Sequence, residues 1–153
     1  MATTVALKAK CPVLVIPSKS EVETIKQVLY ATELERPEKN ALGFSFDLTE
    51  HFNASLSLIK VNAPFEVNVF DDTQFVKEIE AVFGTKKFNL HIVEADSVLD
   101  GLKYYAEENH TDLLVMATRQ RDWLSELINP SFSKKMIATT NIPLLVCHLQ
   151  EEA

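Results

Sequence analysis

Short apolar runs rich in branched residues recur along the chain, and stretches with one-sided apolar spacing lie between them. Continuous runs of this length are typical of strands that are covered on both faces of a parallel sheet, whereas an alternating run is typical of a half-buried strand. The pattern predicts strands over residues 13–16, 28–31, 56–61, 113–117 and 143–147, and an alternating strand over residues 88–95.

Apolar residues between these runs return at helical spacing, which predicts amphipathic helices. Gly84 is expected to end the second helix, and Ser97 and Ser131 are expected to cap the third and the fourth. The helical positions are Ala41, Ser45, Leu48 and Phe52 in the first helix, Phe75, Ile79 and Val82 in the second, Val98, Leu102, Tyr105 and Ala106 in the third, and the segment from Met136 to Thr140 in the fourth.

The order of the predicted elements indicates the fold class. From residue 28 onward, strands and helices alternate, and right-handed crossovers turn such an order into a parallel sheet with helices on both faces. We therefore expect an α/β fold with a doubly wound, five-stranded parallel sheet and an additional N-terminal strand.

That N-terminal segment resembles the last predicted strand. Residues 5–17 (VALKAKCPVLVIP) align with residues 136–148 (MIATTNIPLLVCH), so that Pro12 falls on Pro143. Two interpretations remain open: chance similarity between two apolar strands, or a segment 1–17 that is the closing helix and strand of a preceding repeat. The second interpretation makes residues 18–24 a linker and residues 25–150 the main domain.

Composition and charge exclude several function classes. The chain has 153 residues, of which 46% are hydrophobic and 24% charged, and its net charge is −7. Binding to nucleic-acid phosphates needs clustered basic residues, so we expect no nucleic-acid partner. A membrane-spanning helix needs about 20 consecutive apolar residues, and no apolar run is that long, so we expect no membrane segment. Cys11 and Cys147 lack metal-ligand spacing, so we interpret both as small buried hydrophobes in a cytoplasmic protein.

Four stretches of the chain carry a family resemblance: VLYATEL at 28–34, FNASLSLIKV at 52–61, TDLLVMATRQR at 111–121 and NIPLLVCH at 141–148. No single stretch is specific, and their order and spacing carry the resemblance. Together, over residues 25–148, they resemble the universal stress protein family, whose fold is Rossmann-like.

The resemblance implies a nucleotide site that this chain has altered. In ATP-binding members, the loop after the fourth strand reads Gly, two residues, Gly, nine residues, Gly, then Ser or Thr, because glycine lets backbone N–H groups approach phosphate closely. The matching positions here are Ala117, Gln120 and Pro130, followed by a preserved Ser131. The acidic position after the first strand is Glu33 instead of the family's aspartate.

A residual pocket is expected at the carboxyl ends of the strands, where ligands bind in open α/β sheets. The arginines near it are either anion ligands or part of a solvated loop, and Trp123 either closes over this loop or packs a short helix. The predicted pocket residues are Glu33, Val61, Ala117, Arg119, Arg121 and Ser131, with Thr32 and Thr118 beside them.

Catalytic chemistry has no supporting pattern. His51, His91, His110 and His148 show no metal or nucleophile spacing, and no serine lies in a nucleophile elbow, so we expect no enzyme, no catalytic residue and no metal site.

Three functions compete. The favoured one is a stress-response module that does not hold ATP by the usual glycine loop and acts by association. The first alternative is a nucleotide sensor, of ATP or AMP, with a rebuilt phosphate loop and with ATP and magnesium as its ligand. A nucleotidyl-transfer enzyme is the third, least supported one. The expected partner is a second copy or a paired tandem domain at the final edge strand, through Leu144, Leu145 and Val146. The segment 13–16 could itself occupy that edge, within one chain or exchanged between two.

Overall fold

The computed structural model describes Val5 and residues 8–32, 38–64, 72–118 and 141–148. Strands and helices alternate through this part of the chain. In chain order they are β1 (Val13–Val15), β2 (Gln27–Ala31), α1 (Lys39–Phe52), β3 (Ser55–Asn62), α2 (Asp72–Phe83), β4 (Asn89–Glu94), α3 (Val98–Glu108), β5 (Leu113–Thr118) and β6 (Leu144–His148).

These strands form one six-stranded sheet in the order β1-β6-β5-β2-β3-β4. The five strands β2 to β6 are parallel, and β1 is antiparallel to β6. The expected α/β fold with a five-stranded parallel sheet and an additional N-terminal strand is thus confirmed. All six strands and the first three helices lie where the pattern predicted them, whereas the fourth helix, with Ser131, falls outside the described residues.

Strand β1 lies along the strand that was expected to be the edge. Val13, Leu14 and Val15 pair with Val146, Leu145 and Leu144, respectively. The final strand is therefore an interior strand of this sheet, and of the two alternatives for the segment 13–16 the structure has the one within a single chain. The division into residues 1–17, 18–24 and 25–150 stays a prediction.

The sheet separates two apolar cores. Val28 and Tyr30 of β2 face the core under α1 and α2, and Leu29 and Ala31 face the core under α3. This split follows from the strand itself, because successive side chains point to opposite faces. Helices therefore cover both faces, as a buried parallel sheet requires.

Local signals end the helices where the sequence predicted. The hydroxyl of Ser97 accepts a hydrogen bond of 3.1 Å from the backbone N–H of Asp100 and caps α3. Gly84 follows α2 with a φ of 61°, the left-handed conformation that glycine adopts without steric cost. Asn53, at 51°, ends α1 in the same way without having been predicted.

Two helical glycines lie in different surroundings. A Cβ atom built on Gly101 would stand 2.5 Å from Cγ1 of the buried Val61 and 3.0 Å from Cβ of Ala95, so α3 lies close to the end of β3. A Cβ on Gly43 would meet only the ring of Phe83, at 3.5 Å, which is ordinary contact. Only Gly101 is therefore required by packing.

We predict that Gly101→Ala destabilises the protein by about 1–3 kcal/mol, because overpacking against a rigid β-branched side chain outweighs the gain of about 1 kcal/mol in helix propensity. The midpoint of urea unfolding measures the change. Gly43→Ala is the matched control. It should raise the urea midpoint, because the free energy of unfolding should increase by up to about 1 kcal/mol. Equal effects of the two substitutions would contradict the close approach of α3 to Val61.

Candidate functional site

The candidate site lies where the direction of the sheet reverses. The chain leaves β2 towards β3 on one side, and β5 lies on the other side of β2, so the connections after β2 and β5 diverge at their carboxyl ends. Ligands of open α/β sheets bind in such a crevice. Thr32 is buried beside it, and its backbone N–H donates a hydrogen bond of 2.9 Å to the carbonyl oxygen of Ile59.

Two of the predicted pocket residues are among the described ones. Val61 and Ala117 both lie near the carboxyl ends of their strands and are buried, but they face opposite sides of the sheet. Their side chains therefore do not line one common cavity. The other predicted pocket residues, Glu33, Arg119, Arg121 and Ser131, fall outside the described residues, as does Trp123.

Ala117 is the residue that was predicted to stand at the first glycine position of the family's ATP-binding loop. It lies inside β5, paired with Cys147 of β6, and its methyl group belongs to the core that also contains Tyr30. In the described part of the chain, only Asn53, His110 and Gly84 have a positive φ. The position is thus an ordinary strand residue with a packed side chain, and its backbone does not adopt the conformation that glycine alone favours.

Asn62 supplies an unsatisfied polar atom at the carboxyl end of β3. Its side-chain oxygen Oδ1 is buried and has no hydrogen-bond partner among the described residues. Its backbone carbonyl oxygen accepts a bond of 3.1 Å from the N–H of Ala95. Buried polar atoms are normally paired, so Oδ1 is able to accept a hydrogen bond from a bound molecule or from water. This residue was not predicted, because no sequence pattern shows that a buried amide oxygen lacks a partner.

A buried polar cluster underlies the other face of the crevice. The hydroxyl of the fully buried Tyr30 donates a hydrogen bond to the carboxylate of Glu38, which precedes α1. Burial, and then the charge of Glu38, raise the pKa of Tyr30 well above its usual value. The same two causes raise the pKa of Cys147 from its ordinary 9.0 to about 11. No sequence motif indicated this cluster, because its members come from three separate segments.

The raised pKa values decide what the cluster can do chemically. A thiolate is the nucleophilic form of cysteine, and Cys147 holds its proton throughout the physiological range. Its burial confirms the predicted small hydrophobe, but the same interpretation of Cys11 is wrong, because Cys11 is exposed. Cys11 lies just before β1, the outermost strand on its side of the sheet.

The four histidines lie at separate positions in the structure. His51 is exposed on α1, His91 on β4 lies 5.2 Å from the ring of Tyr105, and His110 is in the turn after α3. Nδ1 of His148 lies 3.1 Å from the carbonyl oxygen of Cys11. Within the described ranges, no group of three His, Cys, Asp or Glu residues could hold a metal ion.

Among the residues that the structure describes, none forms a helix that is both long and apolar enough to cross a bilayer.

We predict that stability declines at alkaline pH because of Cys147. The folded chain keeps this proton up to about pH 11 and the unfolded chain loses it near pH 9, so the contribution is complete below pH 9 and is lost as the pH rises towards 11. The loss should be on the order of 1 kcal/mol, measured as the free energy of urea unfolding at pH 8 and pH 10.5.

Two alanine variants separate this effect from general alkaline destabilisation. Cys147→Ala should show a shallower decline than the wild type, whereas Cys11→Ala, which removes the exposed thiol, should keep the wild-type decline. A decline of equal depth in Cys147→Ala would show that the buried thiol does not titrate as described.

Comparison with known families and structures gives a consistent result. The family model described as "Universal stress protein family" matches residues 24–148. A search of curated proteins finds no match. The fold resembles the crystal structure of a universal stress protein from Archaeoglobus fulgidus, with 20% identity and a TM-score of 0.69 over 99% of this chain and 55% of that protein.

Two further solved structures show the same fold. A functionally unknown protein from Pseudomonas aeruginosa is 18% identical, with a TM-score of 0.62 over 95% of this chain and 55% of that one. A universal stress protein in complex with cAMP is 16% identical, with a TM-score of 0.58 over 83% of this chain and 99% of that one. The chain thus spans about half the length of the Archaeoglobus and Pseudomonas proteins, and nearly all of the cAMP-bound one is covered.

Proposed function

The chain belongs to the universal stress protein family, and on that premise we propose that it is a stress-response module that acts by association. In this role it does not bind ATP through the glycine loop of the family. It carries out no catalysis of its own. A cytoplasmic location is part of the proposal, supported by the two free cysteines.

The replacement of the three loop glycines is the observation that carries this role. Ala117, Gln120 and Pro130 stand at those positions, and the chain's three glycines all lie elsewhere. Pro130 lacks the backbone N–H that a phosphate would need, and Gln120 places a side chain where phosphate would approach. The packed methyl group of Ala117 in the core supports the same conclusion. The family's phosphate cradle therefore cannot form in its usual way.

Association is supported by the sheet edge. Parallel sheets end in strands with unpaired backbone groups, which invite pairing with another chain. In this sheet one edge is β1, a strand of three residues in which Leu14 is exposed, as is Ile16 directly after it. A second copy or a paired tandem domain that pairs with β6 in place of this short strand is the partner that fits the proposed role.

The alternative function is a nucleotide sensor with a rebuilt phosphate loop. Arg119, Arg121 and Ser131 would replace the glycine cradle, and Glu33 would hold the polar edge of the ligand. The buried, unpartnered Oδ1 of Asn62 favours this alternative, because it offers an acceptor at the carboxyl end of β3. The related fold of a universal stress protein that was solved in complex with cAMP adds to it.

Calorimetric titration with ATP and magnesium distinguishes the two functions. We predict no measurable heat of binding for the nucleotide-stripped wild type at micromolar concentrations, and no nucleotide in the supernatant after heat denaturation. Without the loop glycines, the phosphates lack closely approaching backbone donors. Micromolar binding, or a copurified nucleotide, would contradict the proposed function in favour of the sensor.

Two loop variants make the titration specific to the cradle. Ala117→Gly/Gln120→Gly/Pro130→Gly restores the family's glycine pattern, and a gain of binding in it would show that the missing glycines are what prevents ATP binding. If the wild type does bind, Arg119→Ala/Arg121→Ala tests the rebuilt loop, and unchanged affinity would exclude the two arginines as phosphate ligands.

A further inference from the structure

The pairing of β1 with β6 has the symmetry of two identical strands. In the alignment of the N-terminal segment with the last strand, Val13 corresponds to Leu144, Leu14 to Leu145 and Val15 to Val146. Leu14 faces Leu145, its own counterpart. Likewise, Val13 faces the counterpart of Val15, and Val15 faces the counterpart of Val13.

This register is the one that a two-fold axis would produce. When two copies of one strand pair across such an axis, residue i contacts residue j, residue j contacts residue i, and the residue on the axis meets itself. The axis here passes between Leu14 and Leu145. A β6 strand from a second copy could therefore take the place of β1 in the same register, with Leu145 meeting Leu145.

A second copy could also make the contact that holds the beginning of β1. Nδ1 of His148 lies within hydrogen-bond distance, 3.1 Å, of the backbone carbonyl oxygen of Cys11. In the alignment Cys11 corresponds to Ile142, and a backbone carbonyl oxygen is present whatever the side chain. A second copy can offer the carbonyl oxygen of Ile142 to the same ring, so pairing with a copy does not lose this contact.

Strand β1 is held on one face only. Val13 and Val15 are half-buried and pack against the core under α3. On the other face, Leu14 and Ile16 are 52% and 64% exposed, values high for large apolar side chains beside a sheet. A strand of three residues with one packed face adds little to stability, so β1 is the strand of this sheet that is most easily displaced.

The connection after β1 is long enough to release it. Residues 16–26 join β1 to β2 and cross only the ends of β6 and β5, a distance of about 15 Å at the usual strand spacing. The far end is fixed, because the carboxylate of Asp112 accepts hydrogen bonds of 2.8 and 2.9 Å from the N–H groups of Lys26 and Gln27. Detachment of β1 therefore leaves the start of β2 in place.

We propose that β1 occupies the pairing position beside β6 that the β6 strand of a second copy would otherwise take, and that β1 thereby controls self-association. With β1 in place the chain is a monomer at this edge. With β1 displaced, two chains pair through antiparallel β6 strands centred on Leu145. This control rests on the association role proposed above and names its partner as a second copy of the same chain.

Light scattering after gel filtration tests this control on the full chain. Val13→Asp/Val15→Asp places two carboxylates on the packed face of β1 and should expel it, so the mass should rise from that of the 17.2 kDa monomer to about twice that value. The matched control is Leu14→Asp/Ile16→Asp, which adds the same charge to the exposed face and should stay monomeric. A folded but monomeric Val13→Asp/Val15→Asp variant, or a dimeric wild type, would overturn the proposal.

Proteolytic release of β1 avoids any failure of that variant to fold. A protease site in the linker 18–24 is cut after the wild-type chain has folded, and gel filtration then removes the N-terminal peptide. The remaining chain should dimerise, and a chain that stays monomeric without the peptide would refute the role of β1.

Disulfide trapping reports the register of the dimer. In the cut chain with Cys147→Ala, Leu145→Cys should form an interchain disulfide because position 145 meets itself, and Leu144→Cys should not. Crosslinking of both variants alike would contradict the two-fold pairing. An ATP titration that showed binding would defeat the proposed function without changing these masses, so the two failures can be told apart.

Discussion

Coverage of both faces of the central strand β2 is the constraint on which the rest of the structure depends. A parallel strand between two parallel neighbours has no solvated face, so every one of its inward and outward side chains must be apolar or paired. Val28 and Leu29 meet this requirement by packing against opposite cores. Tyr30 meets it only because Glu38 accepts its hydroxyl, which ties the start of α1 to the middle of the sheet.

The elements of this fold were predictable where their signal is local. The continuous apolar runs of β2, β3, β5 and β6 can be buried only in a sheet covered on both faces, and Ser97 and Gly84 mark helix ends through chemistry within a few residues. The boundaries differ by a single residue: the backbone ladder continues past the predicted run in β3 and β5, whereas β1 and β4 are shorter than predicted. The segment 13–16 was also expected as one possible occupant of the edge beside the last strand, and β1 pairs there.

The candidate site was predictable only in part, because its contacts join distant segments. The glycine positions of the loop could be counted along the chain, but neither the hydrogen bond between Tyr30 and Glu38 nor the unsatisfied Oδ1 of Asn62 has a sequence signature. The alternation of side chains also decides that Val61 and Ala117 face opposite sides, and it becomes informative only when the register of β2 between β3 and β5 is known. Packing likewise shows that Gly101, and not Gly43, is required.

The pairing of β1 with β6 also sets the order in which this sheet can be completed. Val13 and Val146 come from opposite ends of the described chain, and contacts between residues so far apart form late, since a long loop must close before they are made. During synthesis β1 leaves the ribosome long before β6 exists, so its apolar residues have no partner within the chain for most of that time. The apolar residues of β1 therefore stay unpaired until β6 is available, and in that interval they are open to pairing with another chain.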